Sequence, residues 1–274
     1  MSIIYLDTKR LKRIILHYTD LVYCYTKANV RGEVARNFLG YAWWSLEPML
    51  EMGVYYLVFG LGLRIGDDNF VTFLLVGISF WLWFTKSVSQ SANSITKAKG
   101  IILSAKVSKI VFPLSAVLHT AVKQVVVVGV LLIFLPLAGI EVTRYWLILP
   151  FIMIVEVAFI AGVSLSASII VPIIPDMGFL IGTVLRLMFF MSGIFFSLDS
   201  IPPPYGMYLY YFNPMAALIT NYRKILLYGE LPDFTYLAGC FVASVFLCLV
   251  AGIILRKLDS YYPRWVIKRL QKRY

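Results

Sequence analysis

Six ionisable side chains fall inside stretches that are otherwise apolar: Glu47, Glu51, Lys86, Lys123, Glu156 and Arg186. A charged group at the centre of a bilayer costs about 2.5–3.5 kcal/mol on insertion scales, so each of these must face a partner or water rather than lipid. Glu47 and Glu51 lie one helical turn apart on one face and are the close pair of acids in the set. An acid or base held at a membrane surface is what general acid–base chemistry on a lipid-bound substrate would need, but no metal or diphosphate motif surrounds this pair. Three acids against three bases also suit structural ion pairs, for Lys123 and Glu156 in particular. His17 and His119 lack neighbours at metal-ligand spacing and read as packed or interfacial residues. Cys24, Cys240 and Cys248 show no CxxC spacing, which argues against a metal site and against a disulfide framework.

The elements that must hold these groups are written in the composition. The chain has 274 residues, of which 60% are hydrophobic and only 14% charged; its mean hydropathy is +0.81. A water-soluble domain of this length carries more charge, so the bilayer is the expected solvent. The opening MSIIYLDTKRLKR has no apolar core long enough for a cleaved signal, and insertion is expected to use internal spans. A spanning helix needs about 20 mostly apolar residues. Six stretches qualify, roughly Ala42–Leu63, Phe70–Asn93, Ile110–Leu137, Tyr145–Pro172, Met177–Leu198 and Phe234–Leu255. The fold class is therefore an all-α membrane protein with six transmembrane helices.

The net charge of +11 would suggest a nucleic-acid partner in a soluble protein, but its placement says otherwise. Eighteen of the 25 lysines and arginines lie in the segment before span one, the loop after span two and the tail from Arg256. Basic residues mark the cytosolic side, so both termini are expected inside. Arg64, Arg144, Arg223 and Lys224 are left for the opposite side. Residues 1–36 form a separate N-terminal segment, and 37–274 the six-span transmembrane domain with a basic tail at 256–274. Within the first segment Leu11, Ile14, Ile15, Tyr18, Leu21, Val22 and Tyr25 recur at helical spacing, which predicts an amphipathic helix on the cytosolic membrane surface. The other reading is a helix facing the core of a soluble N-terminal domain. Asp199–Asp233, between spans five and six, is too long for a tight connection and too apolar for a free loop. It predicts two short re-entrant helices, with Pro203 in the turn and Asn213–Pro214 as an N-cap followed by proline at the first helical position. Tyr205, Tyr208, Tyr210, Tyr211 and Phe212 would sit at the water interface.

Three motifs carry a resemblance: RNFLGYAWWSLEP (Arg36–Pro48), KIVFPLSAVL (Lys109–Leu118) and FFSLDSIPPPYGMYLYYFNPMAALITNYR (Phe195–Arg223). Over essentially its full length the chain resembles the permeases of polysaccharide-exporting ABC transporters of the type-two export class, which serve O-antigen, capsule and teichoic acid. At Ile174–Gly178 it carries Pro175–Asp176 where many O-antigen members have an Arg-Asp pair.

The resemblance implies a channel made by two copies of the chain in a bacterial inner membrane, each copy docking one ATP-binding cassette subunit. The substrate implied is a lipid-linked polysaccharide: O-antigen on undecaprenyl diphosphate for lipopolysaccharide biogenesis, with capsular polysaccharide as the alternative. No GxxxxGK[ST] phosphate loop is written in the sequence, so ATP and Mg are expected in the partner subunit, with no cofactor and no enzyme activity in this chain. Lys97–Ser108 becomes the expected coupling helix, with Lys97, Lys99, Ile101, Ile102 and Leu103 docking into a partner groove; the alternative is a basic loop held on anionic lipid. Arg186 is expected to meet the lipid-linked pyrophosphate, since the guanidinium fork suits phosphate. Tyr55 and Phe59 are expected to line the channel as surfaces for sugar rings, with Glu47 and Glu51 on the same path. Tyr211 and Arg223 belong to the expected periplasmic re-entrant segment. The rivals are a membrane enzyme acting on lipid-linked sugars and an ion-coupled transporter, whose usual internal repeats are not visible here.

Overall fold

The computed structural model describes residues 8–36, 38–62, 69–105, 107–259 and 261–262, with side chains from residue 18 onward. Leu11, Ile14 and Ile15 of the predicted amphipathic face, Arg64, Lys106 and the basic tail after Tyr262 lie outside the described side chains. The described residues form helices joined by short connections, with no strand among them.

Among the described residues ten α-helices follow in order: α1 Thr8–Arg36, α2 Ala42–Tyr55, α3 Phe70–Lys97, α4 Lys99–Ser104, α5 Val111–Leu137, α6 Leu149–Ile173, α7 Met177–Met191, α8 Tyr205–Phe212, α9 Pro214–Arg223 and α10 Phe234–Leu258. Among the described residues four segments are long and apolar enough to cross a membrane: Phe70–Ser104, Val111–Leu137, Arg144–Ile173 and Phe234–Leu258. Two of the six predicted spans take another form. α2 continues as π-helical turns over Tyr56–Gly62, and α7 ends at Met191, short of the predicted Leu198. The stop has a local cause. Gly193 sits at φ +67°, in the left-handed region that ends helices and that glycine enters without a Cβ clash.

α3 is the central post, with α2, α5, α6, α7 and α9 packed around it. Its sequence explains this. Large aromatics (Phe80, Trp81, Trp83, Phe84) alternate with buried serines, so that wide and narrow places face its neighbours. Ser87 shows how the small polar residues are paired: Oγ donates to Trp83 O at 2.7 Å and lies 2.6 Å from Thr120 Oγ1 of α5. α10 packs mainly on α6. Its remaining faces, among them Val242, Phe246, Leu249 and Ile253, are exposed and apolar, as lipid contact requires.

α1 lies along α5. Thr26 Oγ1 donates to Ser115 O at 3.4 Å, Ser115 Oγ to Val22 O at 3.4 Å, and the Tyr25 and Phe112 rings meet edge to face at 5.5 Å. α8 and α9 are the two short helices expected within Asp199–Asp233. Asn213 caps α9: its Oδ1 accepts from Met215 N at 3.2 Å and Ala216 N at 3.4 Å, while Nδ2 donates to Met191 O and Ser192 Oγ. α9 is buried along most of its length. Tyr205, Tyr208, Tyr211 and Phe212 of α8 are exposed. Pro203 lies in the turn before α8, joined to Pro204 by a cis peptide bond.

Candidate translocation surface and docking helix

Four of the in-span charges, Glu47, Lys86, Lys123 and Arg186, gather in one layer. α3 and α5 are antiparallel with Ser87 beside Thr120, so Lys86 and Lys123 sit within a turn of the same level. α7 runs antiparallel to α3, with Gly178 near Asn93 and the Phe189 ring 5.8 Å from that of Trp81, which brings Arg186 close to that level too. Lys86 donates to Glu47. The ion-pair alternative holds for Lys123, with a partner from outside the spans. Lys123 reaches not an in-span acid but Glu33 of α1, at 2.5 Å, and its ammonium lies 5.5 Å from the Trp44 ring. Glu33 also accepts from Trp44 Nε1 at 3.3 Å, and its Oε2 is 3.0 Å from His119 Nε2. His119 Nδ1 approaches Gln90 Oε1 at 3.4 Å. Sequence reasoning missed this network because Glu33 lies outside every apolar stretch. The available signal was Lys123 itself, whose cost in a span demands a carboxylate from somewhere.

Burial pushes the Glu33 carboxyl up, but the Lys123 ammonium with its hydrogen bond outweighs this and holds the group below its ordinary range. A carboxyl depressed in the folded state stabilises it above the unfolded value, and that contribution is lost as pH falls through the depressed value. The seating of α1 on α5 is therefore expected to loosen in acid, below the ordinary glutamate range. Hydrogen exchange of α1 amides against pH checks this: Glu33→Gln should exchange faster at neutral pH and lose the acid dependence.

Glu156 takes a different course. It is fully buried, and its Oε2 accepts from Tyr222 of α9 at 2.8 Å. The Tyr222 ring stacks on Phe80 with centroids 3.5 Å apart. Glu51 and Arg186 have no ion-pair partner among the described residues. Arg186 is exposed, with Nε 3.4 Å from Gly182 O. It shares its helix face with Phe179, Thr183 and Phe190, which are also exposed.

One turn further from α4 lies an aromatic cluster. Tyr55 meets Phe189 at 5.4 Å and Phe195 at 5.0 Å, and Phe59 meets Phe195 at 4.6 Å. Tyr55 and Phe59 are thus half-buried against neighbouring rings, with part of each face already used.

Arg223 departs furthest from the sequence reading. Counted there among charges facing the far side, it is 4% exposed. Its guanidinium donates to Gly193 O at 2.6 Å, Ile194 O at 3.0 Å and Phe73 O at 3.0 Å, and its Cζ lies 3.3 Å from the Phe73 ring centroid. The five-donor fork of arginine serves carbonyls that the end of α7 leaves without helical partners.

The expected coupling helix is shorter than predicted. Lys97 closes α3, Ala98 turns the chain, and α4 is Lys99–Ser104. Ile101 and Leu103 are exposed, with Lys97 exposed beside them and Lys99 half-buried. Ile102 is corrected: it points inward, into a small core with Ile95, Phe112, Leu255 and Tyr262. A helix this short cannot hold itself, so one of its three apolar residues must serve as its anchor.

A profile of the ABC-2 type transporter family matches residues 22–227, from α1 through the π-helical turn that follows α9. The chain belongs to this family. Among curated relatives of this ABC-2 permease, an O-antigen export system permease protein RfbA of Klebsiella pneumoniae is 28% identical over 240 residues, 87% of this chain and 92% of the relative. One of the same description from Myxococcus xanthus is 26% identical, covering 89% and 95%. The polysialic acid transport protein KpsM of Escherichia coli is 25% identical, covering 80% and 87%. The match embraces the charged layer, the aromatic cluster, α4 and Arg223 together.

Proposed function

We propose that this chain is the membrane half of an ATP-driven exporter that moves a lipid-linked polysaccharide out of the bacterial cytosol, with O-antigen as the first reading. The observation that carries it is similarity to O-antigen export permeases over nearly the whole of both chains. Capsular polysaccharide is the second reading, supported by the similarity to KpsM.

In this reading α2 with its π-helical turns, α3, α5, α6, α7 and α10 are the six spans. Ala42–Gly62 is 21 residues, about 31 Å as a helix, close to the ~30 Å hydrocarbon core. α7 alone reaches only about 22 Å. The buried Ser192–Phe195 continues its path, and non-helical backbone is tolerated at membrane depth where protein satisfies it, here through Arg223. The basic α4 end then faces the cytosol, with both termini inside and α1 at that surface, and α8–α9 form the re-entrant pair on the periplasmic side.

Two copies form the channel, and each docks one ATP-binding subunit, which holds ATP and Mg, at Lys97, Lys99, Ile101 and Leu103. The exposed faces of α2 and α7 border the path. Arg186, free of carboxylate partners among the described residues, meets the pyrophosphate of the lipid-linked glycan. Glu47 and Glu51 lie on the same path, and Tyr55 and Phe59 offer their remaining ring surface to sugars further along.

The test is a strain whose own permease is deleted, complemented with this chain and its ATP-binding subunit, with surface glycan read by gel and composition. Surface O-antigen supports the first reading, capsular polymer the second, and no surface glycan rejects both. Arg186→Gln is expected to cut export at least tenfold while the subunits still co-purify; full export by this variant would overturn the role given to Arg186.

A further inference from the structure

A cavity of about 450 Å³ opens between α1, α3 and α5, with Asn29, Gly32, Arg36, Gln90, Lys97 and His119 in its lining. This is within the range of small-molecule pockets, about 300–1,000 Å³. Arg36 and Lys97 are both exposed, and neither has an ion-pair partner among the described residues. The carboxylate in the same lining, Glu33, is already taken up by Lys123. The cleft therefore presents uncompensated positive charge. Gly32 lines it beside open space, since a Cβ built there meets nothing within 4 Å. The cavity belongs to the α4 end, where α1 lies beside the ends of α3 and α5. Lys97 of the lining immediately precedes Ala98, where α3 turns into α4.

We infer that this cleft is a binding site for the phosphate headgroup of an anionic phospholipid of the cytosolic leaflet, placed to brace α1 and the root of the docking helix. Two free cations beside a neutralised carboxylate select net negative charge, and a cleft at the membrane surface selects a lipid over a dissolved anion. The leaflet named rests on the orientation proposed above; the existence of the site does not.

The test titrates phosphatidylglycerol or phosphatidylcholine onto the purified full chain in detergent, reading bound lipid by native mass spectrometry. One saturable phosphatidylglycerol per chain, with phosphatidylcholine much weaker, is expected. Arg36→Gln with Lys97→Gln should weaken it on the order of tenfold. Gly32→Leu should abolish it by filling the cleft while keeping both charges. Lys27→Gln, a basic residue of α1 outside the lining, should leave it unchanged. Equal binding of both lipids, or equal loss in the Lys27 variant, overturns the site. Displacement of phosphatidylglycerol by an isoprenyl pyrophosphate at lower concentration overturns the occupant and gives the cleft to the transported lipid. Binding in detergent does not depend on orientation or transport, so a failed export assay leaves this result standing.

Discussion

Replacing Arg223 with leucine is expected to destabilise the bundle by about 2–6 kcal/mol, from two buried carbonyls left without a donor at about 1–3 kcal/mol each. The size follows from what stays behind. Gly193 O and Ile194 O belong to buried residues that follow the end of α7, and leucine offers them no donor. Phe73 O and the Phe73 ring lose their cation at the same time. Lysine keeps the charge but lacks the fork that reaches three carbonyls, so Arg223→Lys should recover only part of the loss. Gly77 supplies an independent check from the other side of the contact. A Cβ at position 77 would stand 2.6 Å from Arg223 Nη2, a group held by several hydrogen bonds and unable to yield. Gly77→Ala is therefore expected to destabilise in the same direction, and less than additively with Arg223→Leu, because both disrupt one clamp. Thermal unfolding of purified protein in detergent, followed by aggregation or tryptophan emission, measures all four. Wild-type stability of Arg223→Lys would show that charge alone suffices and that the carbonyl fork does not matter.

The second large effect concerns α4. Ile101→Asp with Leu103→Asp is expected to lower export more than tenfold and to release the ATP-binding subunit on co-purification, with the permease still folded in the membrane. Burying two aliphatic side chains in a partner groove contributes about 1.5–3 kcal/mol each, and carboxylates there add a desolvation cost. Both residues are exposed, so the chain's own packing does not depend on them. Ile102→Ala should do the reverse: it empties the small core under Phe112, Leu255 and Tyr262, costing about 2–5 kcal/mol of stability before any partner is involved. A double aspartate variant that retains its ATP-binding subunit and exports normally would remove α4 from the docking role.

Features carried by neighbours along the chain are legible in the amino-acid sequence. Apolar stretches and helical periodicity located the helices, because a span's need for internal hydrogen bonds and apolar surface is written within about 20 consecutive residues. Asn213–Pro214 announced the start of α9 for the same reason: an N-cap and its proline act within one turn. The three motifs placed the chain among polysaccharide export permeases before any geometry was known. Pairings across the chain were decided only in the tertiary structure. Lys123 needed an acid, but hydropathy could not say that α1, 90 residues earlier, would lie against α5 and deliver Glu33 rather than an acid from within a span. By sequence Arg223 is one of the charges left for the far side, in the re-entrant segment beside Lys224. It became a clamp because α7 ends early at Gly193 and leaves carbonyls 30 residues away in sequence but within 3 Å in space. Ile102 and Ile101 are adjacent and chemically identical; only the packing of α5 and α10 beneath α4 determines which is anchor and which is surface. Ion-pair and carbonyl partners are chosen by proximity after packing, and proximity is not a property that one-dimensional spacing records.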